Sequence, residues 1–461
     1  MSEVTLESLV SFCKRRGFVY PSSEIYGGLA AVYDYGPYGV ELINNIKQIW
    51  WRELVYRYDN ISGLDSAIFM NPRVWQASGH VAGFSDPLTE CRYCHTRLRV
   101  DHLLEGVGAE ASDTMSETEI NQLFDDYRHL VVCPECGHRD FTQVRHFNLL
   151  VHSNLGNFTG NDSNPVYLRG ETCQGIYVNY KNILDSTRLR LPFGIAQIGK
   201  AFRNEITARQ FIFRTREFEQ MELQYFVRPT NDLVDFNLWK QRRWDYYINI
   251  LGIDPANLRW HEHEKLAFYA KAACDIEYNF PFGFQEIEGV HARGDYDLTQ
   301  HQKFSGQELD YYDQAVDQKF IPHIIESSSG VGRVFLMLLN EAYHEEKLGE
   351  NDKRVVLKLK PALAPVKVAV FPLLRNKPEL IKAAQEVFDQ VKMRWRCEFD
   401  DNGNVGKRYR RQDEIGTPYC LTVDFDTLEK GTVTVRDRDT MKQTTVQLNE
   451  LVSYLSSKLD Y

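Results

Sequence analysis

AQIGKAFRNEITARQFIFRTREFEQMELQYF, residues 196–226, reads as a strand, a loop carrying Arg209, Arg214 and Arg216, and a second strand, together a long antiparallel hairpin. Side chains alternate faces along a strand. Arg203 and Glu205 are therefore expected on one face of the first strand, and Phe218, Gln220, Glu222 and Gln224 on one face of the second. A surface of guanidinium, aromatic and carboxylate groups suits a phosphate, a stacked ring and an ammonium or metal ion. It suits an exposed sheet with cross-strand ion pairs equally well, and pattern alone does not separate the two.

Downstream, IIESSSGVGRVFLMLLNEA (324–342) runs from a strand through Gly330 and Gly332 into an apolar helix with Arg333 in its first turn. It lacks the GK[ST] of a P-loop, so the glycines are read as permitting close backbone packing, while Arg333 can lie flat against a planar ring. YLRGETCQGIYVNY (167–180) supplies Glu171, and FQEIEGVHARGDYDL (284–298) supplies Glu286, Glu288 and Arg293. Upstream, VELINNIKQIWWRELV (40–55) has the spacing of a helix of about four turns, followed by an expected strand SAIFM (66–70) ending at Pro72.

Between these segments the texture breaks at about residues 85–145. Cys91-Arg-Tyr-Cys94 and Cys133-Pro-Glu-Cys136 lie toward its ends, around an acidic, serine-containing stretch EGVGAEASDTMSETE (105–119) that reads as a solvated loop. Two matched CxxC pairs can supply four thiolates to a tetrahedral Zn2+ with no position left for water, a structural site; the plainer reading is four reduced thiols. PALAP (361–365) separates a last segment in which VKVAVFPLL, YCLTVDF and TVTVRDRDTMKQTTVQL read as strands and ELIKAAQEVFDQVK as a helix, a compact α/β domain. There GKRYRRQDE (406–414) gathers Lys407, Arg408, Arg410 and Arg411 around Tyr409, which is either a phosphate-contacting patch or a solvated charged face.

The whole chain of 461 residues is 43% hydrophobic and 26% charged, a globular balance. Its net charge of −10 argues against general polycation binding of nucleic acid, although positions 365–461 hold 16 basic and 15 acidic residues, so the acidity lies upstream. No run approaches the ~18 apolar residues of a membrane span, the first 18 residues do not read as a signal peptide, and nine cysteines are too sparse for a secreted disulfide framework. A cytoplasmic protein is expected. GxSxG, HExxH and GxGxxG are all missing, which disfavours triad hydrolases, zincins and Rossmann dehydrogenases.

Taken in order, these segments resemble the class II aminoacyl-tRNA synthetases, and among them the homodimeric glycyl-tRNA synthetases. The helix from Val40, SAIFM and Pro72 are similar to motif 1, FRNE through REFEQMELQYF to motif 2, and SSGVGR to motif 3. FNLLVHSNLG (147–156), YLRGETCQGIYVNY, YRRQDEIGTPYCLTVDF (409–425) and GTVTVRDRDTM (431–441) carry the glycine assignment. The resemblance implies an α+β fold. It would have an antiparallel-sheet catalytic domain (1–84 and 146–360), a zinc-binding insertion (85–145) and an anticodon-binding domain (361–461). It further implies a ligase that forms glycyl-adenylate from glycine and ATP with Mg2+, charges tRNA(Gly), and pairs as a homodimer through motif 1. Neither a membrane nor a DNA partner is expected.

By the same resemblance, Arg203, Glu205 and Arg333 are catalytic. Arg203 grips the α-phosphate, and Phe218 and Arg333 sandwich adenine. Asn204, Phe213, Arg214, Thr215, Arg216 and Glu217 line the nucleotide, with Glu286, Ile287, Gly330, Val331 and Gly332. Glu171, Glu222, Glu326 and Ser328 surround the glycine ammonium, joined by Arg99, Phe218, Glu219, Gln220, Met221, Arg293, Ser327, Ser329 and Gly330. Cys91, Cys94, Cys133 and Cys136 hold zinc, and Lys407, Arg408, Arg410 and Arg411 meet tRNA. An acid-lined pocket is physically sensible, because glycine offers only its ammonium to grip.

The sequence departs from the family strings at Gly170 (proline), Cys173 (alanine), Ser327 (often proline) and in HARGDYDL, where ANRTDYDL is usual. Another class II synthetase, or a synthetase-like nucleic-acid-binding accessory protein without catalysis, are the alternatives. The retained Glu171, Arg203, Glu205, Glu326 and Arg333 disfavour the latter.

Overall fold

The computed structural model describes residues 4–109, 111, 115–155, 164–206, 210–263, 266, 270–349 and 352–459. Arg209, Gly156 and part of the 105–119 stretch lie outside them.

One seven-stranded sheet organises the chain. Its strands are β1 (Ile61–Leu64), β2 (Phe193–Phe202), β3 (Glu217–Val227), β4 (Leu258–Glu262), β5 (Ala272–Phe280), β6 (Gly283–Gly294) and β7 (His323–Gly330), in spatial order β4-β5-β6-β7-β3-β2-β1. Every pairing is antiparallel except that of β1 with β2. The β2–β3 hairpin runs from Phe193 opposite Phe226 to Phe202 opposite Glu217. Arg203 and Glu205 therefore lie just past the end of β2 and not on it, a correction to the expected strand length.

Alternation along β3 sorts the two faces. Met221, Leu223 and Tyr225 enter the main apolar core at the back, with Leu42, Ile46 and Ile49 from helix α1 (Pro37–Trp51). The front is crossed by α2 (Cys173–Thr187), whose Ile176, Tyr177 and Tyr180 pack on Phe193, Phe226 and Ile324. Helix α3 (Asp232–Asp245) sends Arg243 to the back of the sheet, where its Nη2 donates to the fully buried Glu288 at 3.0 Å; Glu288 also accepts from Tyr247 at 2.8 Å and Ser327 at 2.6 Å. Helix α4 (Tyr296–Ser305) follows β6, and α5 (Val331–Ala342) starts directly at the end of β7. That last junction is the strand-to-helix transition read around Arg333.

SAIFM is not a strand. Pairing ends at Leu64, six residues earlier than expected, and of SAIFM only Phe69 makes a single bridge, to Leu168. Pro72 begins a short helix, where its missing N–H costs nothing.

Residues 85–148 build a small three-stranded sheet, Arg97–Arg99 beside Ser85–Glu90 beside Arg145–Asn148. A separate apolar cluster of Leu98, Leu104, Ile120, Phe124 and Phe141 supports it.

The C-terminal sheet has β8 (Val368–Pro372) between β9 (Cys397–Phe399) and β10 (Tyr419–Val423), both parallel to it, then antiparallel β11 (Thr432–Asp437) and β12 (Gln443–Gln447). Helix α6 (Pro378–Val391) covers one face through Ala384, Val387 and Val391. Helix α7 (Val405–Ile415) covers the other through Tyr409. Fully buried Arg354 ties this unit to the rest by donating to Asp413 at 3.2 Å, and Asp413 also pairs with Arg436 at 2.8 Å. Among the described residues no helix is long and apolar enough to cross a membrane.

Candidate active site

The front of β3, β6 and β7 opens into a cavity of about 280 Å3. Register explains its lining. Glu222 stands opposite Ser328, and Ser328 opposite Gly289, so the side chains of Glu222 and Ser328 share the front with Gln220, Glu326, His291 and Arg293. Glu171, just before α2, closes this end.

The buried Glu222 and Glu326 and the partly buried Glu171 share one cavity and cannot all hold a charge at equal cost, and their partners separate them. Burial raises Glu326, but Arg293 at 3.1 Å and His291 at 3.2 Å outweigh it and hold the carboxyl at about 2. Burial likewise raises Glu171, yet His80 at 3.3 Å and Arg293 keep it well below the ordinary carboxylate range. Glu222 has no cation in contact among the described residues. Burial, then the charges of Glu326 and Glu171, push it up to about 8 against the hydroxyls of Thr172 and Ser328 that donate to it. His291 is driven down by burial, but Asp275 and Glu326 raise it to about 9. This end of the cavity is thus an acidic cage with one carboxyl held in reserve as a neutral acid.

The other end is built from the motif 2 and motif 3 segments. Arg203 donates to the Gly170 carbonyl at 3.1 Å, and its guanidinium stands 5.4 Å from the Phe218 ring and 5.2 Å from Phe84. Arg333 lies 4.4 Å over Phe213 and pairs with Glu286 at 2.9 Å. Glu205, Arg214, Thr215, Gly330 and Gly332 complete the lining. Guanidinium groups, aromatic faces and glycine backbone are what a nucleotide triphosphate requires.

Several expected residues fall elsewhere. Glu219 faces the back and pairs with Lys47 at 3.1 Å; Met221 is core; Ser327 donates to Glu288; and Ser329 is buried behind the sheet. All four sit one residue out of phase with the cavity face. Ile287 and Val331 are core residues, Glu217 pairs with Lys200, and Asn204 is held through its backbone N–H on Leu149. Arg216 donates to the Glu205 carbonyl at 2.9 Å, bracing the loop from behind the cavity. Arg99 is bound to Asp86 at 3.0 Å and to Asp101, outside the lining. His80, Thr172, His291 and Asp297 belong to the site without having been assigned a role in the sequence. His291 and Asp297 lie within HARGDYDL, which offered a signal; nothing marked His80.

On the basic helix one of the four expected contacts is corrected. Arg408 is buried and donates to the carbonyls of Asp401 at 2.9 Å, Gly403 at 2.7 Å and Pro372. Arg410 pairs with Asp352 at 2.9 Å, Arg411 with Asp400, and the Tyr409 hydroxyl bonds Thr422. Lys407 is exposed, and Arg410 and Arg411 remain partly exposed in their ion pairs. Of the four, Arg408 alone is an internal tie, because the helix must pack one face on the sheet.

In the insertion, the four thiols of Cys91, Cys94, Cys133 and Cys136 converge within 4.8 Å, with Sγ–Sγ separations of 3.5 Å (Cys91–Cys136) and 3.7 Å (Cys94–Cys133). Four sulfurs at ~2.3 Å from one ion stand about 3.8 Å apart, so the donor set fits Zn2+.

Residues 158–342 match the family model described as the tRNA synthetase class II core domain (G, H, P, S and T), and residues 367–458 the anticodon binding domain. The chain is 49% identical to the glycine–tRNA ligase of Borreliella burgdorferi over 99% of its length and 98% of that protein. It is 48% identical to the glycine–tRNA ligase of Treponema denticola, at 99% and 98% coverage. For that of Clostridium acetobutylicum the identity is 49%, at 99% coverage of both. Among solved structures, prolyl-tRNA synthetase from Cryptosporidium parvum complexed with L-proline and AMP superposes with a TM-score of 0.62 at 15% identity, covering 99% of this chain and 78% of that one. That likeness concerns the fold.

Proposed function

The chain belongs to the glycine–tRNA ligase family of class II synthetases, and from that premise we propose how its residues divide the work. The reaction activates glycine with ATP to glycyl-adenylate and transfers the glycyl group to the 3′ end of tRNA(Gly). One observation carries the reading: the glutamates Glu171, Glu222 and Glu326 and the arginines Arg203 and Arg333 line the same cavity.

Glu171, Glu222 and Glu326 receive the glycine ammonium, with Ser328 orienting Glu222. The glycine carboxylate then points toward Arg203, which holds the α-phosphate and offsets the negative charge that grows on it during in-line attack. Adenine enters between Phe218 and Arg333, which releases Arg333 from its contact with Phe213. Arg214 and Thr215 meet the outer phosphates. No protein nucleophile is needed, because glycine supplies the attacking oxygen and pyrophosphate leaves. Class II synthetases use ATP with Mg2+, which would offset phosphate charge; Glu286, half exposed at the nucleotide end, is the carboxylate that would help hold that ion. Water then has no part in the first step, and the terminal ribose hydroxyl of tRNA takes the glycyl group in the second.

Three further assignments complete the proposal. The cysteine cluster holds a structural Zn2+; α1 provides the face of a homodimer; and Lys407, Arg410 and Arg411 are the part of α7 left to meet tRNA. Nine free cysteines suit a reducing cytoplasm. Exchange of labelled pyrophosphate into ATP that depends on glycine, and is not supported by alanine or serine, is the expected result. Exchange driven equally by alanine would overturn the cage assignment.

A further inference from the structure

The cavity face of the sheet continues past Glu326 toward the β4 edge through a row of histidines. His263, directly after β4, places Nε2 2.8 Å from Asp275 Oδ2 on β5, and His291 on β6 places Nε2 3.8 Å from Asp275 Oδ1. One donor atom from each of the three lies within 4.8 Å of the others. Ligand atoms at 2.0–2.1 Å from a tetrahedral ion stand about 3.3 Å apart, and the two observed separations bracket that value.

Strand register produces the convergence. Asp275 stands opposite Gly289, His291 opposite Ala273, and the His263 N–H donates to the Ala273 carbonyl at 3.1 Å. Both histidines therefore flank Asp275 diagonally on one face. Gly289 keeps the space between them open: a Cβ there would stand 3.0 Å from His291 Nε2 and 3.4 Å from Asp275 Oδ1. The atoms that would crowd such a side chain are the ones that converge.

Behind the cluster, His291 Nδ1 lies 3.2 Å from Glu326 Oε1. A carboxylate on the far nitrogen of an imidazole is the arrangement that fixes which nitrogen faces a metal. His263 is 36% and His291 27% exposed, so water has access to a remaining coordination position. Two imidazoles and one carboxylate suit borderline divalent ions, whereas Mg2+ and Ca2+ favour oxygen ligands alone.

We propose that His263, Asp275 and His291 bind one divalent transition ion of the Zn2+ class at the edge of the amino-acid end of the cavity, with Glu326 holding His291 from behind. This site shares no ligand with the cysteine cluster and does not depend on the catalytic roles assigned above.

Co2+ tests it on the full-length chain after dialysis against chelator. Cobalt bound by thiolates shows an intense near-ultraviolet charge-transfer band, whereas imidazole and carboxylate ligands give only weaker visible bands. The wild-type chain should bind one equivalent more than His263→Ala or Asp275→Asn. That extra equivalent should add visible absorption without a thiolate band, and Zn2+ should displace it. Equal stoichiometry in the wild type and both variants overturns the proposal. So does a variant that loses the thiolate band, since the missing metal would then be that of the cysteines.

Discussion

Glycine binding should release a proton, and Glu222 should be its source. In the free cavity this carboxyl sits at about 8, above its ordinary value, because it is buried beside Glu326 and Glu171 while Arg293 and His291 serve Glu326 and His80 serves Glu171. Thr172, Ser328 and Gln220 donate to it but bring no full charge. An ammonium within ~4–6 Å lowers a carboxyl by about 1–3 units. Taking about 2, the release is roughly 0.8 proton per glycine at pH 7 and roughly 0.2 at pH 8.5. Linkage then makes glycine bind roughly eightfold more tightly at pH 8.5 than at pH 7. Calorimetry in phosphate and in Tris at pH 7 reads the proton directly, since the two buffers differ in ionisation heat. Glu222→Gln should remove the buffer dependence and flatten the pH profile. It should also bind glycine less well at pH 8.5, by the roughly 1.5–3 kcal/mol of a charged hydrogen bond. Folding carries the matching sign: the folded chain holds this proton more tightly than the unfolded chain, so the contribution is present below the ordinary carboxylate pKa and is lost as pH rises toward 8. A binding heat at pH 7 that is the same in both buffers would refute the reasoning.

Arg203→Ala should fold normally and lose about 100- to 1,000-fold or more in adenylate formation; near-normal pyrophosphate exchange removes the phosphate assignment. Glu288→Ala should cost about 3–5 kcal/mol of stability, because it strands buried Arg243 without its partner, and the shift of the urea midpoint at unchanged m measures this. Arg408→Ala should destabilise the C-terminal unit by about 2–4 kcal/mol through lost buried hydrogen bonds to Pro372, Asp401 and Gly403. Lys407→Ala should leave thermal unfolding unchanged, and the contrast between the two melting curves is the check. Cys133→Ser should lower bound zinc by one equivalent per chain and loosen the insertion; a metal-free wild-type chain of full stability would make the cysteines ordinary thiols.

The cavity face of β3 was legible because strand alternation is independent of what surrounds it: Phe218, Gln220 and Glu222 share a face whatever packs against them. The same rule also sorts the errors. Glu219, Met221, Ser327 and Ser329 are neighbours of true lining residues in sequence, and alternation turns each to the other side. The basic run on α7 misled for a different reason. Four positive charges in five positions look like a surface, but a helix cannot keep every residue out, and Arg408 enters the interior because three backbone carbonyls await it there. Only tertiary structure shows that. His80 was beyond reach for the same reason, being brought to Glu171 by a turn that has no charged neighbours to mark it.

Charge alone cannot explain how such a cage selects glycine, because alanine and serine carry the same ammonium. A single added methylene is worth about 1–3 kcal/mol of discrimination in a fitted pocket, and only if the walls do not yield. The walls here are β3, β6 and β7, interior strands of the sheet with hydrogen-bonded neighbours on both sides. Behind them, the Arg243–Glu288–Ser327 contacts join α3 to the backs of β6 and β7. Moving Glu326 or Ser328 aside for a methyl group means moving β7, and moving β7 means breaking the buried bond from Ser327 to Glu288. The back of the sheet, which touches no substrate, is therefore what gives the front its stiffness. In the proposed site, electrostatics would admit the ammonium, and the cost of displacing a central strand would set how small its owner must be.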